Sequence, residues 1–376
     1  MGNLVCAICG AVMKALEHDR DLYSICAAHR QGPDARDGRP EPIPRLVIWE
    51  LTSSVVTPSP EARVSFPSGD LADLVLDQIA ALQTAAIVFG VSPEALPPSL
   101  ELLVSRARRQ GLHVTLALHP PAPIPVPTLR RLRSAGVERV GVRLDAPIPM
   151  RLGARAAEGI VVGAIRTVRD EGIPLQLHTQ LTPDTLRLLP ALGAQIGEFG
   201  PVLWSVAFPV LTQGAGETMT ASALEHALVW LYLFAAKAAF AIQVCEAPQY
   251  RRIVAEMRRG AGAWPALSDG NGLCVISAGG EVLAGPALPL VAGSLREQPL
   301  SAIYREAPLF RELRDRARLE GKCGRCEFRH ICGGSRARAY AVTGNHLAED
   351  PTCLYDPLSP HDREGRGWRP GHKHPR

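Results

Sequence analysis

RLVIWELT (residues 45–52), AAIVFG (85–90), LHVTLALH (112–119), VERVGVRLD (137–145), IPLQLHTQL (173–181) and VLWSVAFPV (202–210) are six short apolar runs rich in β-branched residues. Runs of this length and make-up read as strands. Between them lie segments with helical periodicity: LADLVLDQIAAL (71–82), LELLVSRARRQ (100–110), PTLRRLRSAG (127–136), a stretch from Arg155 to Glu171 and another from Asp184 to Gly193. Strand-helix alternation with runs apolar on both faces predicts a parallel sheet covered by helices, and right-handed crossovers wind such a sheet into an open or closed β/α barrel. Gly111, Gly136 and Gly172 fall where helices should end, as C-terminal caps. Arg106, Arg108 and Arg109 in SRARRQ complement a helix C-terminus.

Working outward, residues 1–30 carry cysteines in a small module, and QGPDARDGRPEPIP leads through a linker (31–44) into the barrel (45–218). Beyond Thr220 the repeat is expected to stop. A helix from Ala221 to Ala239, a second near Gln249 to Arg259, a hairpin around Gly279-Gly280 and a charged helix from Leu300 to Arg318 make up a domain over 219–357. Residues 358–376, ending EGRGWRPGHKHPR, read as a disordered tail.

The 376 residues suffice for a substantial core, and 46% apolar with 21% charged residues is ordinary globular composition. With 41 basic against 37 acidic side chains, the net charge of +4 gives no footprint for nucleic acid. No window approaches the roughly 18 to 20 apolar residues that span a bilayer, and MGNLVCAICGAVM lacks a basic n-region and a cleavage site. A cytoplasmic protein without a membrane is the expectation. Seven of nine cysteines fall in two dense groups, which in that compartment argues for metal or redox chemistry over disulfides. Cys245 and Cys274 stand alone in apolar runs and are expected to be buried.

In KCGRCEFRHICGGSRARAYAVTGNHLAEDPTC (322–353), Cys323, Cys326, Cys332 and Cys353 follow Cys-x2-Cys-x5-Cys-x20-Cys spacing beside Gly324, Gly333 and Gly334. Four thiolates can converge there, and iron-sulfur clusters and structural zinc both accept that donor set. This segment is very similar to the C-terminal SPASM extension of radical SAM proteins, especially members resembling those of haem biosynthesis. The resemblance runs over nearly all of residues 45–357, including EAPQYRRIV (246–254) and LPLVAGSLREQPLSAIYREAPLFRELRDRARL (288–319). It implies a partial (β/α)6 radical SAM-like barrel with an iron-sulfur extension. It also implies that Cys323, Cys326, Cys332 and Cys353 hold one auxiliary [4Fe-4S] cluster. The family's other auxiliary cluster needs cysteines at positions that here are Gly285 and Arg336, so that cluster is expected to be absent.

The first strand of the family ends in Thr-x2-Cys-x3-Cys-x2-Cys, ligands of the cluster that cleaves S-adenosylmethionine (SAM). This chain reads WELTSSVVTPSPEARVSF (49–66), which puts Val55, Ser59 and Ala62 in the cysteine positions. Valine and alanine have no lone pair for iron, and one serine cannot replace three thiolates. The family's Gly-Gly-Glu-Pro has become Gly90-Val91-Ser92-Pro93, and its Ser-Leu-Asp-Gly has become Arg143-Leu144-Asp145-Ala146. SAM cleavage is therefore not expected, and bound SAM is disfavoured. A pocket that used intact SAM would need a carboxylate, for which Asp145 is a candidate; an aspartate at a strand end is also a usual turn or cap residue. His113, His119 and His178 lie in or beside strands and are candidates for a barrel-mouth ligand, weighed against ordinary rim or core histidines.

At the N-terminus, Cys6-x2-Cys9, a sixteen-residue gap and Cys26-x2-His29 have the form of a zinc knuckle. Rubredoxin-like iron and unliganded thiols are the alternatives, and His18 could replace His29. Lys14, Arg20 and Arg30 are balanced by Glu17, Asp19 and Asp21, which favours a protein-binding or structural module over a nucleic-acid one. Together these readings predict an iron-sulfur protein that has lost radical initiation and works as an electron-transfer or scaffolding partner of another protein, such as an intact relative or an electron donor. The alternatives are a non-radical transferase or modifying enzyme using the barrel mouth, and a metal-stabilised adaptor. No catalytic residue is assigned.

Overall fold

The computed structural model describes residues 42–52, 66–119, 122–145, 147, 156–210, 219–257 and 267–357. The N-terminal cysteines and His29, the positions Val55, Ser59 and Ala62, Ala146, and the tail 358–376 lie outside the described residues.

The barrel runs β1 (Leu46–Glu50), α1 (Gly69–Ala81), β2 (Ala86–Val91), α2 (Leu100–Arg109), β3 (His113–Leu118), α3 (Val126–Ala135), β4 (Arg139–Arg143), α4 (Ala156–Asp170), β5 (Leu175–Gln180), α5 (Pro183–Arg187), α6 (Leu189–Phe199) and β6 (Leu203–Ala207). All six expected strands are present. The helix expected near Asp184 is two helices, restarted by Pro190 in the first turn of α6. Gly111, Gly136 and Gly172 have φ of 85°, 117° and 65°, the left-handed values expected of caps.

Contrary to expectation, the repeat does not stop at Thr220. Helix α7 (Ala221–Ala235) ends early and β7 (Ala241–Cys245) follows, pairing in parallel with β6. The run ALVWLYLFAAKAAFAIQVC is almost uniformly apolar, so periodicity alone could not separate its helix from its strand. After α8 (Gln249–Met257), β8 (Leu273–Ile276) pairs in parallel with β1, and β9 (Glu281–Gly285) and β10 (Leu288–Ser294) complete an antiparallel meander. The ten strands form one sheet in the order β10-β9-β8-β1-β2-β3-β4-β5-β6-β7. The charged helix is α9 (Leu300–Glu306), α10 (Pro308–Arg314) and a 3-10 turn (Arg316–Arg318), because Pro308 can only begin a helix. α11 (Gly321–Arg325) and α12 (Arg336–Thr343) close the chain.

Side chains alternate between the two faces of a strand, so the register sorts them. Trp204 packs edge-on against Phe234 of α7 at 5.9 Å, which marks its face as the helix-covered side. Val47, Trp49, Ile87, Phe89, Val114, Leu116, Val140 and Val142 share that face and are buried. The opposite face is not apolar throughout. It carries Glu50, Thr115, Arg139, Gln176, His178 and Ser205, all buried, on five of the strands. The strands therefore look outward to a conventional core and inward to a polar lumen.

Candidate metal centre

Two short pieces of backbone bring the C-terminal cysteines together. Cys323 lies in α11, whose single turn ends at Cys326. A Cβ on Gly324 would come within 2.1 Å of the Leu319 carbonyl oxygen, so this turn can form only with glycine there. The chain then folds back, with the Cys332 N–H donating to the Phe328 carbonyl at 2.8 Å, and passes through Gly333 and Gly334 at φ of 74° and 66°. A side chain at 334 would meet Cys323 Sγ at 2.9 Å. Ser335 caps α12 by accepting from Arg338 N, and the loop beyond that helix returns Cys353 to the site. All four cysteines line one hollow, walled in part by Phe328 and Tyr355.

The sulfurs are arranged as acceptors. Phe328 N donates to Cys326 Sγ, Gly334 N to Cys332 Sγ and Asp350 N to Cys323 Sγ, each at 3.4 Å. The Tyr355 N–H serves Cys353. A thiol sulfur is a weak acceptor and a thiolate a strong one, so N–H groups aimed at four sulfurs suit ligated thiolates. Without a metal, burial pushes Cys326 up to about 11 and Cys332 up to about 12, and raises Cys353. Four thiolates in this setting, one buried and three half-buried, would thus need a cation to neutralise them. Among the described residues no three His, Cys, Asp or Glu side chains are grouped closely enough to hold one metal ion. A tetrahedral zinc with bonds of about 2.3 Å draws its sulfurs to about 3.8 Å from one another.

Asp350 ties these pieces to the barrel. Its Oδ2 accepts from Gln249 Nε2 and Ser335 N, both at 2.7 Å, and from Arg338 Nη1 at 3.0 Å. Its Oδ1 accepts from Thr352 N at 3.0 Å and Thr352 Oγ1 at 2.9 Å. Burial alone would raise this carboxyl, but the Arg338 charge and the bonds from Ser335 and Thr352 outweigh it and hold the group below its ordinary value. Arg338 in turn donates to the Glu246 carbonyl at 2.7 Å, just beyond β7. Arg252 of α8 lies over the Tyr355 ring at 5.0 Å and pairs with Glu225 and Glu256.

Gly285 and Arg336, the positions at which the family resemblance places cysteines of the other auxiliary cluster, are both closed. A Cβ on Gly285 would lie 1.8 Å from Asp269 Oδ1, and Asp269 feels the charge of Arg336. Sequence reasoning missed Asp269, Asp350, Arg338 and Gln249. The only visible sign of them was polar residues within otherwise family-like segments.

The barrel-mouth candidates separate. His113, at the start of β3, bonds Glu138 at 2.8 Å, away from the strand C-termini where a mouth would lie. His119 follows β3, and burial together with the Arg143 charge lowers its pKa. Asp145 pairs with Arg143 and accepts from Gln180 N at 2.8 Å, which is the turn role; burial raises its pKa against the pull of Arg143. His178 faces the lumen over Gly141, where a Cβ would meet Nε2 at 2.3 Å. Neither His178 ring nitrogen has a partner among the described residues, and burial followed by the Arg143 charge pulls its pKa down to about 3. Gly90 adjoins Glu50 across β1 and β2. Cys245 and Cys274 are buried, as expected. Among the described residues no helix is long and apolar enough to cross a membrane.

No protein-family model matches the chain. It is 30% identical over 340 residues to an AdoMet-dependent heme synthase of Methanosarcina barkeri, covering 84% of this chain and 97% of that protein. A pre-heme d1 synthase of Dinoroseobacter shibae is 26% identical over 369 residues, covering 86% and 89%. Among solved structures, Streptococcus suis SuiB bound to S-adenosylmethionine superposes with a TM-score of 0.62 over 92% of this chain and 87% of that one; at 14% identity this speaks for the fold alone. Partial β/α barrel, four-cysteine extension and the length of the match agree: the chain belongs to the radical SAM/SPASM family.

Proposed function

We propose that Cys323, Cys326, Cys332 and Cys353 hold one [4Fe-4S] cluster. We further propose that the chain has lost SAM-cleaving radical chemistry and serves as an electron-transfer or scaffolding partner in a modification or biosynthetic reaction. The observation that carries this reading is the hollow lined by all four cysteines, in which each sulfur meets a backbone N–H. When bound, such a cluster supplies one-electron chemistry. The residues of this chain hold and orient it, through Gly324 and Gly334, which permit the turns, and Asp350, which fixes them to β7 and α8.

Loss of radical initiation would set the chain apart from relatives whose names state AdoMet dependence. It rests on Val55, Ser59 and Ala62, which offer no three thiolates. Cys6, Cys9, Cys26 and His29 are proposed to bind zinc in a separate module over residues 1–30, which presents the chain to its protein partner. The division into barrel (45–218) and iron-sulfur domain (219–357) follows the same reading, with β7 and β8 of the second segment completing the sheet of the first.

Anaerobically reconstituted protein incubated with SAM and dithionite tests the proposal. No 5′-deoxyadenosine is expected, and its formation at a rate above that of a control without dithionite would refute the lost chemistry. A second reading, a non-radical modifying enzyme acting in the barrel, is favoured by the polar lumen around His178. Calorimetric titration with SAM separates the two: saturable heat supports the second and silence the first.

A further inference from the structure

We propose that Arg336 sets the reduction potential of the cluster held by the four cysteines, by donating an N–H···S bond to Cys323; this rests on the cluster reading above. Arg336 is buried at 3% exposure. Its Nη2 lies 3.6 Å from Cys323 Sγ. The rest of the guanidinium is pinned by carbonyl oxygens: Nε donates to Gly334 at 3.2 Å, and Nη1 to His346 at 2.9 Å and Ala348 at 2.7 Å. The group therefore cannot swing to solvent. Gly334 opens the passage, since a Cβ there would meet Nη2 at 2.6 Å as well as the sulfur.

Among the described hydrogen bonds, this is the one side-chain donor aimed at any of the four sulfurs, the others being backbone N–H groups. A backbone donor is neutral, whereas a guanidinium brings a full charge into a site where little water screens it. Reduction adds negative charge to a cluster, and a cationic donor at one thiolate stabilises that form. Hydrogen bonds to sulfur and net charge are among the factors that set such potentials. Arg336 also occupies a position that the resemblance gives to a cysteine of the other cluster, while the Asp269 carboxylate fills the space beside Gly285. The change that removes one cluster thus supplies a charged donor to the remaining one.

The test is a midpoint-potential titration, followed by electron paramagnetic resonance, on full-length reconstituted wild type, Arg336→Lys and Arg336→Gln. At the wild-type midpoint, Arg336→Gln is expected to lower the reduced-to-oxidised ratio roughly tenfold, which is about 59 mV for one electron. Arg336→Lys, which keeps the charge, should fall between. Because Arg336→Gln also strips three carbonyls of their donor, wild type grown on 15N-arginine gives a readout that needs no damaged variant. Pulsed resonance should show an arginine nitrogen coupled to the reduced cluster, lost in Arg336→Lys. Absence of that coupling, or variant potentials equal to wild type, overturns the role of Arg336 alone. Wild type without iron overturns the cluster reading and this role with it.

Discussion

Replacing Asp350 with asparagine keeps the shape of the side chain and deletes its charge. In the folded protein Arg338 and Asp350 have side-chain exposures of 4% and 0%, so Arg338 would be left buried without its counter-ion. The new amide group would also turn N–H groups toward Gln249, Ser335 N or Arg338, all of which donate to Asp350. Removing one partner of a buried, hydrogen-bonded pair costs roughly 3–5 kcal/mol, against a total stability of about 5–15 kcal/mol for a typical domain. With a urea dependence near 3 kcal/mol per molar, the unfolding midpoint should drop by about 1 M or more. The same loops present Cys323 and Cys353, so iron retention after gel filtration should fall in parallel. Arg338→Met with Asp350→Leu should recover part of the loss, giving a coupling of about 1–3 kcal/mol in a double-mutant cycle. A midpoint within about 0.3 M of wild type with full iron retention would refute the view that this carboxylate organises the site.

Three further outcomes follow from the geometry. Wild type should lose stability as pH falls below about 6.5, because an unfolded histidine takes up a proton there while buried His178 does not until about pH 3. At pH 5 that difference is about 2 kcal/mol, so urea titrations at pH 7 and pH 5 should show His178→Gln with a smaller acid loss; an unchanged slope would refute the buried neutral ring. Gly334→Ala should abolish iron binding while leaving the barrel helical by circular dichroism, since its Cβ meets Cys323 Sγ at 2.9 Å in a backbone with φ of 66°; full iron content would count against it. Gly141→Ala should displace the His178 ring, whose Nε2 lies 2.3 Å from the new Cβ, and destabilise by about 1–3 kcal/mol in the same urea assay, whereas a neutral change would contradict the assigned packing.

The alternation of strand-like and helix-like runs through residue 210 was legible because β2 to β6 are short, β-branched and flanked by turn residues. β7 was not, for it follows α7 in an apolar run that only Lys237 interrupts. The polar lumen could be read only with the sheet closed enough to give its two faces different neighbours: Glu50 or Gln176 in isolation looks like any polar residue in a strand. The four cysteines announced themselves by spacing. Asp350 did not, although it stands three residues before Cys353, because its partners Gln249 and Arg338 come from elements that meet it only in three dimensions. Arg336 was legible as a missing cysteine, and its bond to Cys323 was not.

By the proposed reading these four cysteines carry one cluster and the chain carries no second. Anaerobic purification with iron and sulfide analysis, combined with electron paramagnetic resonance before and after dithionite on wild type and Cys326→Ala, addresses it directly. About four irons per chain in wild type, with a signal that appears on reduction and both lost in the mutant, is the predicted result. Near-zero iron with about two zincs per chain would contradict it and make the C-terminal site structural.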